Sequence, residues 1–420
     1  MTQRVFNAEP VRTRHRSVYR RRRFVVFGGG TLALLLLVYL IGVVIAPVPA
    51  ATAVLAPIGS LSSQAAQLEW PGGGQGAIMA PDYPEVSAST GGSGAVPIAS
   101  ITKVVAALVI LDKKPISGES SGPSITFTDN DVDILNEVVA NGGSWAPVVA
   151  GTSMTERQAL TAMLVPSGSN YALSLANWAF GSMSAYVSAA RTWLAAHNLT
   201  GTTIVSPDGL DPDNASTTKD LLRLGQMVVD SPVLSSIVSQ QNTEKLPGAG
   251  VQQNTNQLLG IDGIDGIKTG NTDQAGYCLL FSALVPVGTA HVRVIGVILG
   301  APDDDTLWSD VKSLVESTRA GFHQLDLAEK GRVFGSYQTS WGARSDLVAL
   351  SQSRVVVWSD TKVTPKTDVR ALTSGNAGDV MGTVTYTIGA HTQVVKLGLR
   401  NAVPGPGLGW RLGHPFGIGS

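Results

Sequence analysis

The fold of this chain is set by residues 97–115, which read PIASITKVVAALVILDKKP. Eight consecutive apolar residues, Val104–Leu111, end at a charged stop that contains proline, Asp112–Pro115. Periodicity alone does not separate a buried helix from a buried strand, but the length of the run and its stop favour a helix buried on all sides. At the start of this helix, Ser100 and Lys103 are three residues apart and would share one face.

On either side of this helix the pattern mixes strands with helices. Gln75–Ala80 resembles a strand, and a capping box at Thr155–Gln158 precedes a helix. Farther along, Val292–Leu299 has the pattern of a core strand and Thr306–Leu327 that of one long helix. The mixture predicts an α/β (α+β) domain over residues 66–330.

The last quarter of the chain has a different character. Strand-like segments separated by turn residues follow one another at Val355–Trp358, Val380–Ile388 and Thr392–Leu399. We expect a small β-rich C-terminal domain over residues 331–403, followed by a Gly/Pro-rich tail over 404–420.

The N-terminal residues predict a membrane anchor. A basic tail, 1–23, precedes an uncharged stretch, 24–46, whose 23 residues would span about 34 Å as a helix, against roughly 30 Å of hydrocarbon. The positive-inside rule places the basic tail in the cytoplasm and everything after the span outside, beginning with a linker at 47–65. The alternative is a cleaved signal peptide and a secreted protein, because small-residue cleavage sites occur at Val48–Ala50 and Ala51–Ala53.

Charge and composition argue against several functional classes. Residues 1–23 carry eight Arg and one acid, which leaves 22 basic and 30 acidic residues, a net charge of −8, for the remainder. Because residues 24–420 are net acidic, they lack the excess of positive charge with which proteins bind the phosphates of a nucleic acid. Cys278 is the only cysteine and lies in an apolar run, and the six His lack paired ligand spacing, so we expect neither a catalytic thiol nor a metal site.

Three short motifs carry candidate chemistry. They are Ser100-Ile101-Thr102-Lys103, then Pro166-Ser167-Gly168-Ser169-Asn170, and then Lys268-Thr269-Gly270. Each is weak alone, because the pattern S-x-x-K occurs four times, beginning at Ser100, Ser216, Ser309 and Ser359. Only Ser100 precedes both other motifs and heads a long apolar helix. A serine is a poor nucleophile at pH 7 without an adjacent base. Lys103 can be that base if burial, or the nearby cation of Lys268, lowers its pKa.

In this order the motifs resemble the S-x-x-K, S-x-N and K-T-G set of penicillin-binding proteins and serine β-lactamases. Further patches make the resemblance closer. These are Pro97–Lys103, Ser206–Leu210, Ser216–Thr218, Asn254–Asn256 and Asp265–Gly276. Together they look like the D-alanyl-D-alanine carboxypeptidase family of low-molecular-mass penicillin-binding proteins, over roughly residues 70–285.

The resemblance implies a β-lactamase/penicillin-binding-type transpeptidase fold that works without a metal or cofactor. It also implies that Ser100 attacks the bond between two terminal D-alanines of a peptidoglycan stem peptide, with Lys103 as base and Ser167 as proton relay. Lys268 and Thr269 would hold the terminal carboxylate.

The same resemblance gives the remaining site residues. The backbone N–H groups of Ser100 and of Asn271, just past the third motif Lys268-Thr269-Gly270, would form the oxyanion hole. β-Lactams would acylate the same serine. One position departs from the family pattern, since Ser169 stands where the second motif has Asn and Asn170 follows it. Either Ser169 makes a shorter contact with the substrate amide, or a local shift brings Asn170 into the site.

Other functions on the same fold stay open. A D,D-endopeptidase or transpeptidase shares these motifs, and a non-catalytic penicillin-binding wall protein would keep the fold without turnover. A class A β-lactamase is disfavoured, because Glu244 is the only Glu between the second and third motifs and no E-x-x-L-N pattern surrounds it.

Overall fold

A computed structural model describes residues 1–3, 15–117 and 120–415. Parts of the predicted basic tail and of the predicted Gly/Pro-rich tail, residues 4–14 and 416–420, lie outside the described residues. The chain divides into two compact units. One comprises residues 62–325 and 356–361, here called the peptidase unit, and the other comprises 1–61, 326–355 and 362–420, here called the β unit.

Helices and strands both occur along the chain, as the predicted mixed fold requires. The helices are α1 (His15–Ile45), α2 (Thr102–Lys113), α3 (Asp129–Ala140), α4 (Glu156–Leu164), α5 (Ser169–Phe180), α6 (Met183–Ala196), α7 (Thr218–Asp230), α8 (Pro232–Val238), α9 (Asp304–Gly321) and α10 (Leu408–Gly413). The strands are β1 (Val54–Leu55), β2 (Gln75–Ala80), β3 (Tyr83–Thr90), β4 (Val96–Pro97), β5 (Ser124–Thr126), β6 (Ser153–Thr155), β7 (Ala215–Ser216), β8 (Ile264–Thr272), β9 (Gly276–Val287), β10 (Ala290–Ala301), β11 (Phe322–Ala328), β12 (Val333–Gln338), β13 (Arg344–Ala349), β14 (Ser353–Trp358), β15 (Val363–Val369), β16 (Val380–Ile388) and β17 (His391–Leu399).

An antiparallel sheet organises the peptidase unit. Its strands pair in the order β3-β2-β10-β9-β8, so β8 is an edge strand bound only to β9 within this sheet. Apolar side chains from the sheet form one core with α2, α4, α5 and α7, and a second core with α9. The sheet is therefore covered by helices, and the exposed edge of β8 faces the start of α2.

The stretch at 97–115 forms the buried helix that its sequence predicts. A 3-10 turn, Ala99–Ile101, leads into α2, whose side chains from Thr102 to Ala107 are all buried. The turn places Ser100 immediately ahead of the α-helix, with Lys103 in its first turn. Because side chains three residues apart are eclipsed in a 3-10 turn, this geometry brings the serine and the lysine together.

Several other predicted elements are confirmed, and one is wrong in part. The capping box at Thr155–Gln158 starts α4, β2 has its predicted bounds, and Val292–Leu299 lies within β10. The helix predicted over Thr306–Leu327 ends at Gly321 instead, and the chain continues as β11. A Cβ at Gly321 would lie 2.6 Å from the ring of Trp358, so the end of α9 is set by close tertiary packing.

Two of the three strands predicted in the last quarter of the chain lie in the β unit: Val380–Ile388 is β16, and Thr392–Leu399 lies within β17. They belong to an antiparallel sheet with the order β1-β12-β13-β17-β16-β15 around buried residues that include Phe334, Tyr386 and Leu397. The third predicted strand, Val355–Trp358, lies within β14, outside this sheet, and its residues 356–358 belong to the peptidase unit. Val54–Leu55, within the segment expected to be a linker, forms β1 and pairs with β12. In the same unit, residues 19–45 of α1 are long and apolar enough to cross a membrane by length and composition.

Candidate active site

Ser100 and Lys103 are in direct contact at the start of α2. The ammonium Nζ of Lys103 donates a hydrogen bond of 2.7 Å to Ser100 Oγ and another of 2.7 Å to the backbone carbonyl oxygen of Asp208. Lys103 is completely buried. The serine hydroxyl therefore has a basic group within hydrogen-bond distance, as an activated nucleophile requires.

Burial changes the acidity of both lysines in the site. Desolvation lowers the pKa of Lys103 to about 8, although the carboxylate of Asp208 opposes the shift. The pKa of Lys268 is well below its usual value because Lys268 is buried and because the charge of Lys103 repels a second cation. Burial is the larger cause for both lysines, and the repulsion between their charges couples the two groups.

The third motif lies on the edge strand β8, beside the nucleophile. Thr269 Oγ1 lies 2.6 Å from Thr255 Oγ1, and Lys268 Nζ donates to the carbonyl oxygen of Thr269 at 3.1 Å. A Cβ at Gly270 would lie 2.8 Å from the carbonyl oxygen of Ile98 and 3.2 Å from the backbone nitrogen of Ser100. Glycine is therefore what allows the strand to approach the 3-10 turn this closely.

A cleft of 320 Å³ joins the three motifs. Ser100, Ser167, Thr269, Gly270 and Asn271 all line it. Ser167 has a φ of 65°, a left-handed conformation that is uncommon for a residue with a side chain and that recurs at functional sites. Among the described residues, the hydroxyl of Ser167 forms no hydrogen bond, so it is available to a molecule in the cleft.

The two residues after Gly168 do not line this cleft. Ser169 begins α5 and is completely buried, and its hydroxyl has no hydrogen-bond partner in the described part of the chain. The side-chain amide of Asn170 forms two hydrogen bonds with the backbone of Ala146. Oδ1 of Asn170 accepts from the nitrogen of Ala146 at 3.1 Å, and Nδ2 of Asn170 donates to the carbonyl oxygen of Ala146 at 2.9 Å. Asn170 thus lies outside the substrate cleft, and its side chain fixes the loop around Ala146.

The sequence analysis assigned no role to two residues that form part of the site. Asp208 supplies the carbonyl oxygen that holds Lys103, and Thr255 binds the hydroxyl of Thr269. Both residues lie in patches that resemble the family, Ser206–Leu210 and Asn254–Asn256. That resemblance was the feature of the sequence from which their roles could have been predicted. A Cβ at Gly209 would collide with the carbonyl oxygen of Ala99, so this loop packs directly on the 3-10 turn.

The three competing S-x-x-K serines lie in different surroundings. Ser216 is buried and pairs with Thr202, its hydroxyl lying 2.8 Å from Thr202 Oγ1. Ser309 is exposed on α9, and Ser359 binds Asp360 and the backbone nitrogen of Ala66. Within the described ranges, none of these serines accepts a hydrogen bond from a lysine, which leaves Ser100 as the candidate nucleophile.

Comparison with known proteins agrees with this arrangement. The sequence model of one family, described as D-alanyl-D-alanine carboxypeptidase, matches residues 86–303, about half of the chain and all three motifs. The chain belongs to the D-alanyl-D-alanine carboxypeptidase family. The matched residues include α2 and β8, between which the cleft lies.

Individual relatives are distant and match in part. The D-alanyl-D-alanine carboxypeptidase DacA of Escherichia coli K12 is 27% identical over 263 residues, which are 61% of this chain and 63% of that protein. A D-alanyl-D-alanine endopeptidase of Pseudomonas aeruginosa is 31% identical over 209 residues, 48% of this chain and 63% of that protein. The matched region thus spans less than two-thirds of the length of these relatives.

Solved structures support the fold. Penicillin-binding protein 5 of Haemophilus influenzae aligns with a TM-score of 0.55 and 21% identity, covering 80% of this chain and 98% of that one. The Streptomyces K15 DD-transpeptidase aligns with a TM-score of 0.52 and 24% identity, covering 61% of this chain and 98% of that one. At these identities the likeness shows the fold alone. It confirms the predicted penicillin-binding-type fold, with an N-terminal apolar helix and a sheet-rich C-terminal region.

Proposed function

We propose that this protein is a serine D-Ala-D-Ala carboxypeptidase that removes the terminal D-alanine from peptidoglycan stem peptides. The observation that carries the proposal is the 2.7 Å hydrogen bond between Lys103 Nζ and Ser100 Oγ, in a buried setting that lowers the pKa of the lysine to about 8. A base with a pKa close to the working pH suits general-base catalysis. The family match supports the same activity.

The proposed reaction begins with attack on the peptide bond. Ser100 Oγ bonds to the carbonyl carbon between the two D-alanines, and its proton passes to the neutral amine of Lys103. The backbone N–H groups of Ser100 and Asn271 stabilise the oxyanion that forms. The C–N bond then breaks, and the leaving D-alanine takes a proton through the hydroxyl of Ser167.

The remaining steps need only residues of the cleft and water. Lys268 and Thr269 hold the terminal carboxylate of the substrate, which fixes the register of the peptide along β8. Water then attacks the ester carbonyl carbon while Lys103 accepts a proton from it; the bond between that carbon and Ser100 Oγ breaks, Lys103 gives the proton to Ser100 Oγ, and the shortened peptide leaves. A β-lactam carries a similar carboxylate beside a strained amide, so it acylates the same serine and the ester persists.

The apolar helix α1 bears on the location of the protein. We propose that residues 24–46 anchor the chain in the cell membrane with the basic tail inside and the peptidase unit outside. The length and apolar character of this helix support a span, and the arginines that precede it support the orientation. Cleavage after Ala50 or Ala53 and secretion is the competing outcome.

D-Alanine release from a pentapeptide ending in D-Ala-D-Ala tests the proposed activity. We expect release by the full chain in detergent and none by a Ser100→Ala variant. A second substrate, a cross-linked peptide dimer, distinguishes an endopeptidase, which the Pseudomonas aeruginosa relative makes the leading alternative. Penicillin labelling without hydrolysis of either substrate would contradict the proposal and favour a non-catalytic wall protein.

A further inference from the structure

The end of the apolar helix α1 is capped by the C-terminal helix α10. The guanidinium Nη1 of Arg411 donates hydrogen bonds to three backbone carbonyl oxygens at this end, those of Val43 at 3.3 Å, Val44 at 2.8 Å and Ala46 at 3.2 Å. Carbonyl groups in the last turn of a helix have no partner within the helix, and a cation there also interacts favourably with the helix dipole. Arg411 therefore supplies both the donors and the charge that the end of α1 requires.

A second hydrogen bond and the burial pattern show how α10 lies on α1. Tyr39 Oη donates to the carbonyl oxygen of Leu412 at 3.2 Å. Val43 is 3% exposed, whereas the next two residues, Val44 and Ile45, are 53% and 73% exposed. The helix α10 thus packs on one side of the last two turns of α1.

The segment around α10 is in turn fastened to the sheet of the β unit. Trp341, in the turn between β12 and β13, donates from Nε1 to the carbonyl oxygen of Pro404 at 2.8 Å, and its ring meets that of Trp410 edge-on at a centroid distance of 5.7 Å. Just before Pro404, the backbones of Val403 and Gly375 exchange two hydrogen bonds, of 3.0 and 2.8 Å. The end of α1 is therefore tied to the β unit through α10.

The same unit also holds the chain that follows α1. The backbone N–H of Ala51 donates to the carbonyl oxygen of Leu372 at 2.7 Å, and the N–H of Leu372 donates to the carbonyl oxygen of Ala51 at 2.9 Å. Farther along, Val54 of β1 pairs with Ser336 of β12. Residues 46–54 are therefore attached to the β unit at their start, in their middle and at their end.

This attached segment contains both small-residue cleavage sites. Signal peptidase would hydrolyse the peptide bond after Ala50 or after Ala53, with water as the second reactant. The first residue of the product would be Ala51 or Val54, and each of them is already paired with a residue of the β unit. A protease binds an extended substrate through the same backbone groups, so the segment must first detach from the β unit.

We propose that α10 locks the end of α1 onto the β unit and thereby withholds both cleavage sites from signal peptidase, so that the folded chain keeps its anchor. This inference rests on the proposed anchoring by residues 24–46 and identifies the contact that preserves it. The small residues at the sites are a local pattern, whereas Arg411 lies 365 positions after Ala46. For this reason the local pattern by itself leaves cleavage and retention open.

Digestion with a purified bacterial signal peptidase tests the lock. The full chain in detergent is incubated with the peptidase, and the products are followed by mass spectrometry and N-terminal sequencing. We expect the wild type to keep its N-terminus. Arg411→Ala should be cut after Ala50 or Ala53 about 10- to 100-fold faster, because charge-assisted hydrogen bonds are lost and cleavage follows the open fraction of the segment. A chain that ends at Val403 lacks α10 and should be cut at least as fast as Arg411→Ala.

Arg400→Ala is the matched control. Arg400 is an exposed arginine of the same unit that binds Asp346 and the carbonyl oxygen of Gly331, so its loss should leave the resistance of the wild type intact. Because the digestion is run in detergent, it reports on the lock whether or not α1 crosses a bilayer, and carbonate extraction of membranes tests the span itself. D-Alanine release by undigested samples tests the proposed activity separately. A wild-type chain that is cut as fast as Arg411→Ala, or a set of variants that all resist cleavage, would overturn the inference.

Discussion

The acidity of Lys103 makes the rate of acylation depend on pH. Only the neutral amine accepts the proton of Ser100, and burial lowers the pKa of Lys103 from 10.5 to about 8. The neutral fraction is then about 0.09 at pH 7, 0.5 at pH 8 and 0.9 at pH 9. The rate of acylation should accordingly rise about tenfold from pH 7 to pH 9 and level off above. An ordinary lysine would instead give a rise of nearly a hundredfold over the same interval, with no levelling.

The second-order rate constant for labelling by a fluorescent penicillin is the suitable measurement, because it reports pKa values of the free enzyme. Since the charge of Lys103 is one cause of the lowered pKa of Lys268, the two lysines titrate as a pair and the midpoint belongs to both. A Lys103→Ala variant should label about 10²- to 10⁴-fold more slowly and lose the inflection near pH 8. A wild-type rate that is flat from pH 7 to 9, or a variant that keeps the inflection, would refute the assignment of Lys103 as the base.

Three further predictions concern stability, the second motif and the anchor. Burial holds the pKa of Lys103 at about 8 in the folded protein against 10.5 in the unfolded chain, so the buried charge opposes folding below about pH 8, and this opposition fades as the pH rises toward 10.5. The free energy of unfolding of the wild type should therefore gain about 2 kcal/mol on that of Lys103→Met between pH 7 and pH 9.5, which urea unfolding at both pH values measures, and an unchanged difference would contradict the lowered pKa. Because Ser169 is completely buried outside the cleft and its hydroxyl has no partner among the described residues, Ser169→Ala should leave D-alanine release within about threefold and raise the free energy of unfolding by about 1 kcal/mol, whereas a loss of activity of about a hundredfold would show that Ser169 has a role of its own. N-terminal sequencing of the membrane-bound protein should find the arginine-rich tail, whereas a start at Ala51 or Val54 would indicate cleavage.

Local sequence patterns were sufficient to predict the helices and strands whose bounds are marked by neighbouring residues. The apolar run after Lys103 predicted α2, and the capping box at Thr155–Gln158 predicted α4. In the last quarter of the chain, a strand-like segment bounded by turn residues predicted β16 with the bounds that the structure shows. The order of the motifs also predicted that Ser100 contacts Lys103 and lines one cleft with Thr269 and Gly270.

Long-range packing decided what the sequence did not predict. The end of α9 at Gly321 depends on Trp358, which lies 37 positions later, so no local pattern marks it. Asn170 has the residue type of a substrate contact, but its amide is bound by the backbone of Ala146. Asp208 holds Lys103 through a backbone carbonyl, a role that any residue type at that position can play.

Mapping of the penicillin adduct shows directly which serine is the nucleophile. The full chain is labelled in detergent, digested, and the modified peptide is sequenced by mass spectrometry. We expect one adduct, on Ser100, that persists for minutes or longer, because no Glu in the described part of the chain lines the cleft to activate the deacylating water. An adduct on Ser216, Ser309 or Ser359, or no adduct at all, would contradict the account.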